Sequence, residues 1–167
     1  MNAATFTPVA LAEAVAQLES MPAFVAAALA SVPAAELTRQ PAPGEFSLVE
    51  HACHLRDVER EAYLVRVGRM LAEREPALEP FDGGAVAAAR NYPAQDAFTA
   101  ARDFATARGQ VVLLAQGLTP EILAREGTFG DRRVCCADVI AMMVGHDREH
   151  REEIERLLAR LGSRAWK

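Results

Sequence analysis

The amino-acid sequence predicts an all-α protein, a four-helix bundle, and three observations support this fold class. Hydrophobic residues make up 51% of the chain and only 6% is aromatic, with alanine supplying much of the apolar fraction, a balance typical of closely packed helices. Apolar residues recur at helical spacing through four long stretches. Proline and glycine separate these stretches, so we expect four main helices joined by connectors.

The first helix is predicted to begin at Thr7 and Pro8, an N-cap followed by proline at the first helical position. We expect Pro22 to break or kink it, because proline removes a backbone donor. The helix continues to about Ser31. Residues 32–45 contain three prolines and a glycine and are predicted to form a connector.

The second helix is predicted to begin at Ser47, which forms the Ser-x-x-Glu pattern of a capping box with Glu50. The apolar pattern lasts to about Glu73. Its inward row consists of Leu48, Leu55, Val58, Ala62 and Val65. Residues 75–92 are rich in proline and glycine and are predicted to form a loop long enough to cover a site.

The third helix is predicted from Pro93 to Leu118, with one short turn after it at residues 119–121. Residues 127–133 are predicted to form a polar turn. The final helix is predicted from about Cys135 to Leu161. Its apolar row includes two histidines and consists of Val139, Met142, Met143, His146, His150, Ile154, Leu157 and Leu161.

The chain length, net charge and apolar pattern restrict the functions that we expect of the protein. At 167 residues we expect a single domain over 1–167. The net charge of −5, with arginines interleaved among acidic residues, predicts no nucleic-acid binding. No apolar stretch is long enough to span a bilayer and no secretory signal is recognisable, so we predict a cytoplasmic protein that does not bind membranes. Cys53, Cys135 and Cys136 are expected to be reduced core residues.

All four histidines fall into two short motifs, HACH and HDREH. His146 and His150 are four residues apart and therefore share one helix face, where both can bind one metal ion. A third ligand must come from a distant segment, and His54 is preferred because it shares the face of Val58. Burying several imidazoles without a shared partner would cost about 1–3 kcal/mol for each unpaired polar atom. The alternative is that each histidine is a hydrogen-bonded core residue.

Three interpretations of His51 are compatible with the sequence: a fourth metal ligand, a residue that supports the ligands without binding the metal, or a surface residue. HDREH differs from the H-E-x-x-H of zinc proteases because Asp147 replaces the glutamate, so we do not expect a protease. Asp57 is a candidate to orient a ligand imidazole, although a solvated carboxylate is an equally good interpretation. Asp57, Asp147 and Glu153 are all candidates for a general base.

The segments FSLVEHACHLRDVE and VGHDREHREEI resemble the DinB/YfiT-like superfamily of bacterial four-helix proteins, and the resemblance covers nearly the whole chain. It implies a divalent metal bound by His54, His146 and His150. Zinc or nickel is the first expectation, with manganese or iron as alternatives. Two residues depart from the family pattern: Phe46 replaces a common tryptophan, and Glu153 replaces a common glutamine.

The resemblance also implies a small-molecule substrate. Relatives include S-transferases and isomerases that depend on low-molecular-weight thiols, and others are described as metal-dependent hydrolases. We therefore expect first a thiol-dependent S-transferase, then a hydrolase. A non-catalytic metal-binding or helical interaction protein is the alternative. Because dimers are frequent among relatives, a homodimer is a further expectation.

Overall fold

The structure is a computed structural model that describes residues 8–162. Thr7, the predicted N-cap, lies outside these residues. The described residues contain seven α-helices, α1 to α7, at Pro8–Ala30, Leu48–Val58, Leu64–Ala72, Gly83–Arg90, Ala97–Gln116, Pro120–Leu123 and Cys136–Arg160. They also contain three short strands, β1 to β3, at Ala77–Leu78, Glu126–Phe129 and Arg132–Cys135.

Four long helical segments form the predicted four-helix bundle. The segments are α1, the rod made of α2 and α3, α5, and α7. Helix α5 packs on α1 and α2, while α7 packs on α1 and on both parts of the rod. Consecutive helices α1 and α2 therefore lie mainly on a diagonal of the bundle. None of the described helices is long and apolar enough to cross a membrane.

Helix α1 is continuous through Pro22, so the predicted break is wrong. Proline has no N–H to donate to the carbonyl four residues earlier, which belongs to Leu18. That carbonyl instead accepts a hydrogen bond of 3.0 Å from Arg108 on α5. A donor from another helix thus replaces the missing helical bond.

The second helix begins at Leu48 as predicted, and Glu50 accepts hydrogen bonds from the backbone N–H and hydroxyl of Ser47. Between α2 and α3 the rod contains a π-helical segment at Glu59–Tyr63, which the periodicity did not predict. A π-helical turn adds one residue to a turn and rotates everything after it by about 100°. Val65, predicted to point inward, is consequently 48% exposed, and Val67 is fully buried.

Residues 75–92 are not the predicted loop, because they contain β1 and α4. The N-terminus of α4 is capped by Asp82, whose carboxylate accepts a 2.9 Å hydrogen bond from the backbone of Ala85. Its C-cap is Asn91, with a φ of 48°, a left-handed conformation that asparagine tolerates. Four alanines between the caps favour the helix.

The predicted polar turn at residues 127–133 is a β-hairpin of β2 and β3, and β1 pairs with β2 in parallel. Gly130 opens its two-residue turn with a φ of 56°, a region that favours glycine. The short turn after α5 is α6, capped by Thr119. Helix α5 begins at Ala97 rather than at Pro93, which lies in a 3₁₀ turn, and α7 has nearly the predicted bounds.

The apolar interior consists of two clusters, one at each end of the bundle. The three cysteines are buried and unpaired, as predicted. Histidines from α2 and α7 lie between the two clusters, where the rod faces α7.

Candidate metal centre

The structure brings His54, His146 and His150 together, with ring nitrogens of all three within 4.8 Å of one another. His54 projects from α2, and the other two project from one face of α7. The Nε2 atom of His146 lies 3.1 Å from Nε2 of His54 and 3.1 Å from Nε2 of His150. Three nitrogens of the same type therefore converge on one point.

Hydrogen bonds alone do not satisfy this arrangement. Nε2 of a neutral histidine has either one hydrogen or one lone pair, so Nε2 of His146 cannot make two ordinary hydrogen bonds. Among the described residues, the buried Nδ1 atoms of His54 and His146 also have no hydrogen-bond partner. A cation held by the three lone pairs removes the conflict at Nε2.

The spacing fits a transition metal. Two nitrogens that each lie 2.0–2.1 Å from one zinc ion are roughly 2.8–3.4 Å apart at coordination angles between about 90° and 109°. The observed separations of 3.1 Å fall within this interval. Neutral imidazole also suits nickel, copper and iron, so the donor set indicates a divalent transition metal without selecting one.

Burial keeps the imidazoles of His51, His54 and His146 neutral. Desolvation, reinforced by the electrostatic interaction with nearby His150, lowers the pKa of His54 to about 4 and that of His146 to about 2. The pKa of His51 falls to about 3 for the same two reasons. Neutral rings have free lone pairs, so protons compete weakly for these nitrogens at neutral pH.

Aromatic side chains and one glycine enclose His54. The ring of Phe46 lies 5.4 Å from the His54 ring and that of Phe81 lies 6.2 Å away, while Tyr63 contacts His146. Gly83, at the start of α4, lies so close that a Cβ atom there would be 2.5 Å from Cε1 of His54. The segment predicted as a covering loop thus contacts this histidine, but as the start of a helix.

Two of the predicted supporting residues, His51 and Glu153, lie on the other side of His150. Nδ1 of His150 is 3.1 Å from a carboxylate oxygen of Glu153 and 3.1 Å from Nδ1 of His51. The contact with His150 lowers the pKa of Glu153, so this carboxylate is an acceptor for the imidazole N–H. Such a carboxylate fixes the tautomer that leaves Nε2 free for a metal.

Asp147 lies behind His146 rather than among the histidine nitrogens. Its carboxylate accepts hydrogen bonds of 2.5 and 3.0 Å from Arg108, which is 1% exposed. The same guanidinium donates bonds of 2.7 and 2.8 Å to Glu59 at the start of the π-helical segment. Burial opposes the charge of Arg108, but the two carboxylates outweigh it and raise its pKa.

Asp57 is held by residues other than histidine. Tyr92 donates a 2.8 Å hydrogen bond to its carboxylate, and Arg56 and Arg90 form ion pairs with it at 2.6 and 2.8 Å. Burial opposes ionisation, but these donors together lower the pKa of Asp57. Asp57 therefore anchors the segment around α4 to α2.

Sequence reasoning missed Arg108, Glu59 and Gly83. A signal for Arg108 is present, because it lies four residues after Phe104 and three before Val111, on a row of buried residues. A charged residue on such a row requires a buried partner. Glu59 and Gly83 have no comparable signal, since their roles depend on the π-helical register and on the position of α4.

A cavity of about 390 Å³ opens beside the histidines. His51, His54 and His150 form part of its wall, together with Glu153 and Phe46. Its volume is within the range of small-molecule sites. A ligand in this cavity would lie next to the convergent nitrogens.

Comparison with known proteins identifies the family. Residues 17–154 match the model of the DinB superfamily. The chain is also similar to YfiT from Bacillus subtilis, described as a probable metal-dependent hydrolase with an unusual four-helix bundle topology. The two are 21% identical with a TM-score of 0.85, over 93% of this chain and 90% of that chain, which shows a shared fold. A search of curated proteins gives no match. Because the family model matches most of its length, this chain belongs to the DinB superfamily, as its two histidine motifs predicted.

Proposed function

We propose that the protein is a metal-dependent enzyme whose divalent transition metal is held by His54, His146 and His150. The convergence of three ring nitrogens beside an open cavity is the observation that carries this proposal. Catalytic metal sites typically use three protein ligands and keep one position free. Zinc or nickel is our first choice of metal, with manganese or iron as alternatives.

When bound, such a metal lowers the pKa of a coordinated water or thiol and so supplies a nucleophile at neutral pH. Other residues of the chain position the three histidines. Glu153 orients His150, Arg108 holds Asp147 and with it the backbone next to His146, and Phe46 and Phe81 pack against the ring of His54.

The first candidate reaction is transfer of a low-molecular-weight thiol to an electrophilic substrate, the activity that the family resemblance implies. Hydrolysis is the second candidate, and it is supported by the description of YfiT as a probable metal-dependent hydrolase. Both reactions need a small nucleophile beside the histidines and space for a second reactant, which the cavity provides.

Metal analysis by mass spectrometry on protein purified without a histidine tag tests the site. We expect about one transition metal per chain, lost in His54→Ala and in His150→Ala. Arg148→Ala is the matched control, because Arg148 is exposed on α7 between the two histidines. Wild-type protein that holds no metal and takes up no zinc, nickel or manganese would overturn the proposal.

Activity is tested on metal-loaded protein. Conjugation of bacillithiol, mycothiol or glutathione to a panel of electrophiles would support S-transfer, and cleavage within an ester and amide panel would support hydrolysis. Stoichiometric metal with no turnover in either panel would favour the alternative, a metal-binding protein without catalysis.

A further inference from the structure

The cavity beside the histidines has a charged far end. Its wall continues from the histidines along α7 and the connector before α2. The charged residues in that part of the wall are Glu45, Arg156 and Arg160, and Glu153 lies nearer, against His150. Phe46, which packs against the rings of His51 and His54, and Leu157 provide apolar surface in the same wall.

Most of these charges are already paired. Glu153 contacts His150 at 3.1 Å, and Arg160 forms an ion pair of 3.2 Å with Glu45 across the rim. Arg156 differs, because its ion pair with Glu152 is 4.0 Å long and joins residues that are 60% and 58% exposed. A guanidinium has five N–H donors, so this long contact leaves donors of Arg156 available to a ligand.

The position of Arg156 also suits binding of a ligand that reaches the histidines. It is six residues after His150 on α7 and borders the same cavity as His51 and Glu153. A single ligand in this cavity can therefore contact both Arg156 and the histidines.

We infer that the cavity binds a small organic anion whose carboxylate is held by Arg156, while its other end presents a sulfur or oxygen atom to the three-histidine site. A guanidinium pairs with a carboxylate through two parallel hydrogen bonds, which fixes orientation as well as charge. Arg160, held by Glu45, forms the rim. This inference rests on the proposed function, because the second end of the ligand requires the metal.

Matched pairs of ω-mercapto acids and their amides test the inference. The acids run from 3-mercaptopropionate to 6-mercaptohexanoate, and binding to zinc-loaded protein is measured by calorimetry. We expect the best acid to bind about tenfold more tightly than its amide. The preference should fall to about twofold or less in Arg156→Met and be partly kept in Arg156→Lys, which retains the charge without the fork.

Arg148→Met is the control, because it removes an exposed arginine of the same helix outside this cavity. The zinc content of every variant is measured in parallel. Bound zinc with no preference for acids, or with a preference that survives Arg156→Met, overturns the inference and leaves the proposed function intact. Wild-type protein that holds no metal and takes up no zinc, nickel or manganese overturns both.

Discussion

Arg108 joins three elements at a single guanidinium. It donates to the Leu18 carbonyl on α1, to Glu59 at the start of the π-helical segment, and to Asp147 on α7. Glu59 follows His54 in the rod, and Asp147 is the residue after His146. The geometry of the two histidine-bearing elements therefore depends on one buried cation that contacts no histidine in these hydrogen bonds.

Replacement of Arg108 should be costly. Arg108→Met leaves two carboxylates buried without their partner, and we expect a loss of roughly 3–5 kcal/mol in the free energy of unfolding. Urea denaturation of the metal-free protein measures the change. Arg102→Met, on the exposed face of the same helix, should change it by less than about 0.5 kcal/mol. Equal effects of the two variants would contradict the role given to Arg108.

The close approach of Gly83 to His54 can be tested by adding a single methyl group. In Gly83→Ala the new methyl group would meet the ring of His54 at 2.5 Å, so the imidazole must move. We expect metal affinity to fall about 10- to 100-fold, as is typical when a residue that contacts and positions a metal-binding histidine is replaced. Competition with a chromophoric chelator measures this affinity.

Gly84→Ala is the matched control, because a Cβ atom there meets its nearest neighbour, a carboxylate oxygen of Asp82, at an ordinary 3.6 Å. Its metal affinity should equal that of the wild type. If Gly83→Ala also binds metal normally, the contact between α4 and His54 does not hold the imidazole in place.

Elements with a regular pattern and a cap were predictable from the sequence, whereas elements that depend on distant partners were not. The start of the second helix followed from Ser47 and Glu50, and the face of α7 from its apolar row. The π-helical segment was not predictable, because it begins at Glu59, whose carboxylate pairs with Arg108, 49 residues later in the chain. His146 and His150 could be paired from their spacing and His54 added from its helix face, but the role of Gly83 could be seen only from the position of α4.

Helix α1 also depends on a distant partner, because the carbonyl of Leu18 accepts its hydrogen bond from Arg108 on α5. Pro22→Ala supplies the N–H that Leu18 lacks, so the carbonyl no longer needs Arg108. In a double-mutant cycle, Arg108→Met should therefore cost about 0.5–1.5 kcal/mol less in the Pro22→Ala background than in the wild type. Urea denaturation of the four proteins measures the coupling, and strict additivity would contradict it.

At the scale of the whole molecule, the histidines link stability to pH. His51, His54 and His146 have folded pKa values of about 3, 4 and 2 and an ordinary value of 6.5. Below pH 6.5 the unfolded chain binds protons that the folded chain does not, so stability is complete above that pH and falls as the solution is acidified towards pH 4. The slope should reach about 1.4 kcal/mol per pH unit for each histidine.

Urea denaturation of metal-free protein at several pH values between 7 and 5 measures this slope. His146→Gln removes one titrating ring and should make the slope shallower by up to about 1.4 kcal/mol per pH unit. A slope that His146→Gln leaves unchanged would contradict the assignment of a depressed pKa to His146.

The contact between His54 and His146 spans 92 positions of the chain, and its nitrogens are 3.1 Å apart. An ion shared there acts as a cross-link over a loop of that length, for which chain entropy predicts a stabilisation of about 4–5 kcal/mol. Helix α7 follows every other described helix along the chain. During synthesis, His146 and His150 therefore leave the ribosome after the other described helices, so the three-histidine site is completed only when those helices are already present.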